Sequence, residues 1–210
     1  MRTMFAVIRL IAGLGIVAAI VAQLAFSLDY GVPDVPSFLV NFFSFFTILS
    51  NALAAIVLLA GAYFEFRKAP TPASYTLVRG SVTAYMVTTG VVYNLLLRGI
   101  SLDQATTLPW SNEVLHLIAP IYLLLDWLLA PGRGRIAVRD FPVILAFPAA
   151  WLVYTLIRGP IVGWYPYPFL DPSQERGYGA VLVYSIAIAG FIAIMGAIVV
   201  GISRTKPLLR

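Results

Sequence analysis

The sequence contains no cysteine and only one histidine, His116, among its 210 residues. The absence of cysteine excludes disulfides, thiol catalysis, iron–sulfur clusters and most structural zinc sites. A single histidine also excludes a pair of imidazole ligands for a haem or copper centre. We therefore expect no metal ion and no other cofactor.

Charged residues are scarce, at 11% of the chain, whereas 60% of the residues are hydrophobic and the mean hydropathy is +0.91. A soluble domain of this length could not carry such a composition on its surface. About 20 apolar residues cross the hydrocarbon of a bilayer as a helix. The sequence therefore predicts an all-α integral membrane protein with one domain over residues 1–210, a six-helix bundle whose spans are 4–28, 37–63, 78–98, 112–130, 141–158 and 179–202.

The distribution of Lys and Arg orients this predicted bundle. The opposite end has only Arg98, Arg158 and Arg176, while the other 11 of the 14 basic residues share one end: Arg2, Arg9, Arg67, Lys68, Arg79, Arg133, Arg135, Arg139, Arg204, Lys206 and Arg210. Because Lys and Arg are enriched on the cytoplasmic side, we expect both termini to be cytoplasmic. Basic loops beside anionic membrane lipids account for the net charge of +5, so no nucleic-acid partner is expected.

The N-terminal segment and the choice of basic residue bear on localisation. Arg2 and Arg9 beside a small-residue apolar run are similar to a secretory signal, but the apolar run is too long, so we expect a retained helix. Only two of the 14 basic residues are lysines, and Ala and Gly are abundant, as in proteins of GC-rich bacteria. We expect a multi-pass protein of a bacterial cytoplasmic membrane.

A polar stripe interrupts the second predicted span, which reads FFSFFTILSN over residues 42–51. At 100° per residue, Ser44, Thr47 and Asn51 fall on one face of a helix. Polar side chains inside a membrane are costly unless they face a partner or a cavity. The stripe therefore predicts a buried site centred on Thr47, although Ser and Thr also bond carbonyls of their own helix and Asn joins helices.

The fourth span, which contains NEVLHLIAPIYLLLDW, carries His116 just inside its outer end. Ionisable groups inside a membrane are functional candidates. Pro120 cannot donate to the His116 carbonyl, so we expect the helix to open where the imidazole emerges. Asn112 and Glu113, one turn earlier, are candidates for fixing the imidazole tautomer. Asp126, about 15 Å deeper, is interpreted together with Trp127 as an anchor or packing element.

Three further features lie at the predicted outer end. Asn94 and Arg98 share a helix face in YNLLLRG, and Arg158 follows the fifth span. Both arginines are candidate seats for a substrate carboxylate, or cations that reach the interface. The segment GPIVGWYPYPFLDPSQERGYG, residues 159–179, predicts an aromatic hairpin in the interface that either roofs a cavity or has no role in access.

The candidate residues are all predicted to lie in the outer half of the bundle. Their convergence at one depth in the membrane indicates a reactive site. A threonine hydroxyl needs an adjacent base to act as a nucleophile, and His116 is the one imidazole present. We expect Thr47 Oγ1 and an imidazole nitrogen of His116 to lie within hydrogen-bond reach or one water apart. The pair fits acyl transfer from a lipid ester, with Asn51 and Asn94 as candidate oxyanion donors and Ser44 as a candidate substrate contact. The alternative is a non-catalytic lipid-binding or transport protein whose cavity these residues line.

Four motifs, FFTILSN, YNLLLRG, HLIAPIYLLLDW and WYPYPFLDP, together resemble the six-helix membrane family of the androgen-induced protein and the androgen-dependent TFPI-regulating protein, with their bacterial relatives. The resemblance covers essentially the whole chain. It implies hydrolysis of fatty acid esters of hydroxy fatty acids by a membrane-embedded threonine and histidine. By motif, these residues are Thr47 and His116.

Overall fold

A computed structural model describes residues 2–100, 107–174 and 177–205, and within these ranges all regular secondary structure is helical. Except at the start of the second, the membrane-length helices follow the predicted segments closely. Among the described residues six helices are long and apolar enough to cross a membrane, namely Arg2–Asp29, Phe46–Phe66, Ala73–Leu97, Pro109–Leu129, Val138–Val162 and Gly177–Ile202. These are the spans of a multi-pass integral membrane protein.

The spans are divided into eight α-helices, some of them joined by short irregular turns. A π-helical turn at Tyr93–Leu97 extends α4, and a second at Val114–Ile118 joins α5 to α6. The α-helices are α1 Arg2–Asp29, α2 Val35–Phe42, α3 Phe46–Phe66, α4 Ala73–Val92, α5 Pro109–Glu113, α6 Ala119–Leu129, α7 Phe141–Val162 and α8 Gly177–Ile202. Short 3₁₀ turns lie at Val138–Asp140 and Pro168–Leu170.

Helix α4 is the centre of the bundle, because it packs against α3, α6, α7 and α8. Its side chains Val82, Tyr85 and Met86 are buried in the core. Large apolar side chains on α1, α7 and α8 instead point away from the protein, including Ile11, Ile161 and Leu182. An apolar exterior around a helical core is the arrangement that a bilayer requires.

Contacts between helix ends show which parts of the chain share one end of the bundle. Arg9, in the second turn of α1, donates to Asp126 near the end of α6. Arg133, which follows α6, donates to the Thr205 carbonyl after α8 at 3.0 Å. The beginning of α1 and the end of α8 therefore lie near the same end of α6. Arg176, Lys206 and Arg210 of the charge pattern lie outside the described residues, and the cytoplasmic assignment stays a prediction.

A buried ion network occupies this end and corrects the expected positions of two arginines. Arg9 and Arg79 were counted with the basic loops of this end, but both lie within helices and are almost fully buried. The Asp126 carboxylate accepts from Arg9 Nε at 2.8 Å and from Arg79 Nε at 2.9 Å, and Glu65 lies 3.7 Å from Arg9. Asp126 thus holds α1, α4 and α6 together, which is more than the anchor expected from the sequence.

The second predicted helix is broken, and this changes the site. The chain leaves α2 at Phe42 and begins α3 at Phe46. The Ser44 carbonyl, which has no place in a helical ladder, accepts from Trp151 Nε1 at 2.9 Å. Ser44 therefore does not share a continuous helix face with Thr47 and Asn51, contrary to the prediction from the 100° period.

Candidate active site

Thr47 lies in the first turn of α3, where backbone N–H groups have no partner within the helix. Its N–H donates to the Tyr167 hydroxyl at 3.2 Å, and its Oγ1 lies 3.3 Å from the same hydroxyl. Within the described residues, Thr47 Oγ1 makes no bond to a carbonyl of its own helix, because α3 begins only one residue earlier. By contrast, Ser44 Oγ bonds the Val40 carbonyl at 2.7 Å, as the alternative interpretation expects.

His116 lies in the π-helical turn Val114–Ile118, so the predicted opening before Pro120 is confirmed. Asn94 Nδ2 donates to the His116 carbonyl at 3.1 Å and replaces the N–H that Pro120 lacks. Gly90 permits this approach, since a Cβ there would lie 2.9 Å from the Pro120 Cβ. The two π-helical turns therefore lie side by side and are joined by Asn94.

Asn112, one of the two candidates for fixing the tautomer of His116, contacts the imidazole. The Asn112 carbonyl lies 3.0 Å from His116 Nδ1. A carbonyl only accepts, so Nδ1 carries the proton in the neutral ring and Nε2 keeps a free lone pair. The Tyr93 ring stacks on the imidazole at 3.8 Å between centroids, and Asn112 Nδ2 donates to the Tyr93 hydroxyl at 2.7 Å.

Glu113, the other predicted orienting group, contacts Arg98 instead of the imidazole. The Arg98 guanidinium forms two hydrogen bonds to the Glu113 carboxylate at 2.9 and 3.0 Å, and its Nε donates to Asn94 Oδ1 at 2.7 Å. The predictions for Glu113 and Arg98 therefore both need correction. The Glu113 carboxylate is paired with Arg98 and does not orient His116, and the Arg98 guanidinium is already occupied and is not free to bind a substrate anion.

Arg158 belongs to a second polar cluster, between α2 and α7. Its Nη2 donates to Asn41 Oδ1 at 2.6 Å, and its guanidinium lies over the Trp164 ring at 5.5 Å. Ser44 Oγ contacts the Tyr154 hydroxyl at 2.9 Å in the same region. Among the described residues Arg158 forms no ion pair, so its charge remains for an anion, but neither Arg158 nor Ser44 lines the two cavities described below that Thr47 borders.

The side-chain amides of Asn51 and Asn94, which were predicted as oxyanion donors, donate to backbone carbonyls instead. Asn51 is fully buried, and its Nδ2 donates to the Thr47 carbonyl at 2.9 Å and to the Leu115 carbonyl at 3.1 Å. Asn94 Nδ2 likewise donates to two carbonyls, those of Gly90 and His116. Since these amide hydrogens are already engaged, the structure contradicts an oxyanion role. Asn51 instead ties the Thr47 turn to the residue that precedes His116.

Thr47 and His116 line one small cavity of about 70 Å³. Asn112, Tyr93 and Tyr167 contribute to its wall. No direct hydrogen bond between Thr47 and His116 occurs in the described structure, but the cavity is large enough for water, which needs about 10–15 Å³. Thr47 and His116 therefore border one space, and the expectation that Oγ1 and an imidazole nitrogen lie within hydrogen-bond reach or one water apart stays a prediction.

Two apolar spaces flank this small cavity. A larger cavity of about 280 Å³ is lined by Thr47 and by apolar side chains that include Pro148, Leu170 and Ile192. An open groove of about 380 Å³ between α4 and α6 is lined by His116, Pro120 and apolar neighbours. Thr47 thus borders the 280 Å³ apolar cavity, and His116 borders the groove.

Tyr167, in the segment between α7 and α8, is a residue of the site whose role the sequence did not indicate. Tyr167, Phe169 and Leu170 line the 280 Å³ cavity, which favours the roofing alternative over a segment with no role in access. The contact of the Tyr167 hydroxyl with Thr47 was not predicted. The sequence feature that could have indicated this contact is the position of Tyr167 between Pro166 and Pro168, because the two prolines restrict the backbone on either side of it.

The described residues contain no cluster of three or more His, Asp or Glu side chains that could hold a metal ion. Thr47, His116 and Tyr167 bring a hydroxyl, an imidazole and a phenol to the small cavity. Comparisons with protein-family models, with curated proteins and with solved structures find no match for this chain. The family resemblance stays a prediction, and the function is argued from the geometry of the Thr47 and His116 cavity.

Proposed function

We propose that this protein is an intramembrane lipid-ester hydrolase in which Thr47 is the nucleophile and His116 the general base. The observation that carries the proposal is the small cavity shared by Thr47 and His116, with an apolar cavity on the threonine side. A hydroxyl and an imidazole around a space for the reacting carbonyl are the minimal apparatus of acyl transfer.

The reaction follows from the tautomer of His116. Nε2 takes the Thr47 proton as Thr47 Oγ1 bonds to the ester carbonyl carbon. The ester C–O bond then breaks, and the departing alkoxide takes that proton from Nε2. Water attacks the acyl-threonine and gives a proton to Nε2. When the acyl C–Oγ1 bond breaks, Thr47 takes this proton, and the fatty acid is released.

The apolar spaces support a substrate with long hydrocarbon arms. The 280 Å³ cavity is near the lower end of the range of about 300–1,000 Å³ for small-ligand sites, and its wall is overwhelmingly apolar. It suits a fatty acyl chain, while the groove beside His116 suits a second chain. A fatty acid ester of a hydroxy fatty acid, the substrate implied by the family resemblance, has this form. We further propose that the protein acts in a bacterial cytoplasmic membrane.

The test is release of fatty acid by the purified protein in detergent, with long-chain hydroxy-fatty-acid esters, triacylglycerols and lysophospholipids as substrates. We expect wild-type turnover on the first class, and a loss of about 10²–10⁴-fold in both Thr47→Ala and His116→Ala. Thr83→Ala is the matched control, because Thr83 is buried but bonds the Arg79 carbonyl of its own helix.

The proposal fails if folded wild type releases no fatty acid from any of these esters. Binding of the same lipids without turnover would favour the lipid-binding alternative, in which Thr47 and His116 line a cavity without catalysis. Equal loss in the Thr83→Ala control would show that the variants report damage to the bundle and not to the site.

A further inference from the structure

The WYPYPFLDP segment inserts one hydroxyl into the site, and its sequence explains how. Pro168 restricts the residue before it to an extended backbone, and Tyr167 has φ −138° and ψ 139°. The ring is buried between Phe45 and Trp151 and stacks on Phe169 at 5.2 Å. Tyr167 therefore has one rigid placement, with its hydroxyl at the first turn of α3.

One of the two hydrogen bonds at this hydroxyl has a fixed direction. The Thr47 N–H donates to the Tyr167 oxygen, because a backbone N–H cannot accept. In the contact of 3.3 Å with Thr47 Oγ1 either hydroxyl can donate, and one of the two arrangements has the phenol proton directed at Oγ1. With Tyr167 donating, the Thr47 proton is free to point into the cavity that it shares with His116.

We propose that Tyr167 is a hydrogen-bond donor of the active site, which orients Thr47 in the resting protein and donates to the carbonyl oxygen of the ester during attack. The inference rests on the proposed hydrolase function and supplies the oxyanion donor that Asn51 and Asn94 do not provide.

The donor role fits the course of the first chemical step. As Thr47 Oγ1 bonds to the carbonyl carbon and its proton passes to His116 Nε2, the carbonyl π electrons move to oxygen. The oxyanion forms beside Oγ1, where the phenol O–H already lies, and no other proton needs to move. Burial raises the pKa of Tyr167, so the phenol keeps its proton at neutral pH. A contact of 3.3 Å is long, as resting catalytic hydrogen bonds often are.

The test compares Tyr167→Phe with wild type in the ester assay. Phe keeps the ring contacts but removes the hydroxyl. We expect kcat to fall about 10²–10³-fold with KM little changed, as for loss of an oxyanion donor. Tyr165→Phe is the matched control, because it removes a hydroxyl from the same segment without touching Thr47. Unchanged kcat in Tyr167→Phe, with wild type active, overturns the proposal while leaving the hydrolase function intact.

A second measurement does not depend on turnover. Tyr167→Phe should lower the thermal unfolding midpoint in the Thr47 background, and have a smaller effect when Thr47 is already Val, because the two hydroxyls share one hydrogen bond. Equal shifts in both backgrounds overturn the proposed contact. If wild type cleaves no ester, the donor role in catalysis falls together with the hydrolase function, whatever the cycle shows.

Discussion

At the scale of single residues, the position of Thr47 within its helix decides what its hydroxyl can do. Thr83 and Thr88, in the interior of α4, donate to carbonyls four residues earlier at 2.9 and 2.8 Å. Such local bonds occupy the hydroxyl proton. Thr47, at the start of α3, has no helical carbonyl in that position and contacts Tyr167 instead. The Thr47 hydroxyl is thus available for chemistry because no carbonyl of its own helix lies within reach.

The relative placement of Thr47 and His116 depends on Asn51. We expect Asn51→Ala to lower the free energy of unfolding by about 1–3 kcal/mol, because the buried Leu115 carbonyl loses its donor. Turnover should fall as well, since α3 is no longer tied to the π-helical turn. Thermal unfolding and kcat measure the two effects. Ser81→Ala should change both much less, because the Ser81 hydroxyl only bonds its own helix.

An unchanged unfolding midpoint in Asn51→Ala would contradict this role. Full turnover in a destabilised variant would show instead that Asn51 stabilises the bundle without setting the geometry of the site.

At the scale of secondary-structure elements, the two π-helical turns determine how the His116 imidazole is exposed. Pro120 removes a donor from α6, the turn Val114–Ile118 widens, and Asn94 reaches across from the turn Tyr93–Leu97. π-helical turns are frequent at functional sites. Here the widened turn holds His116 between the small cavity and the open groove.

Replacing Pro120 tests whether the widened turn matters. In Pro120→Ala the backbone N–H returns and can bond the His116 carbonyl, so we expect stability to be kept or raised while turnover falls. Unfolding midpoint and kcat are the measurements. Pro160→Ala, at an exposed proline within α7, is the control and should keep full turnover. A fully active Pro120→Ala variant would show that the opening of the helix is not needed.

The elements also show how far the sequence can be interpreted. Apolar length predicted all six spans, and Pro120 predicted the opening beside His116. The break between α2 and α3 could not be predicted, because FFSFF contains no Gly or Pro, and its free carbonyl is satisfied by Trp151, far away in sequence. For the same reason the Arg98–Glu113 pair and the Tyr167 contact were missed, since side-chain partners are set by tertiary packing.

At the largest scale, the described residues form polar networks at both ends of the bundle, around Asp126 at one end and around Arg98 and Asn94 at the other. Asn94 lines the open groove, whereas no residue of the Asp126 network lines the three spaces described above. Asp126 is centred between the buried Arg9 and Arg79, whereas the cavity residues lie about 15 Å away along the axis of α6, by helix rise. In membrane proteins, buried charges must be paired within the protein. We therefore interpret the Asp126 network as structural.

Asp126→Asn should separate stability from activity. Two buried guanidinium groups would lose their main counter-charge, so we expect a loss of about 3–5 kcal/mol in the free energy of unfolding. The kcat per folded molecule should stay near the wild-type value. The control is Asp140→Asn, which removes only an exposed contact with Arg139 at 3.9 Å and should cost at most about 1 kcal/mol. A large loss of kcat in folded Asp126→Asn would contradict the separation of the two ends.

In the proposed reaction Thr47 carries the acyl group between the two chemical steps. The most direct measurement is rapid mixing of the protein with a long-chain nitrophenyl ester, followed by mass spectrometry of its peptides. We predict a burst of nitrophenol close to one equivalent and an acyl group on the peptide that contains Thr47, both abolished in Thr47→Val. Fatty acid release with no burst, or an acyl group on another residue, would contradict the account.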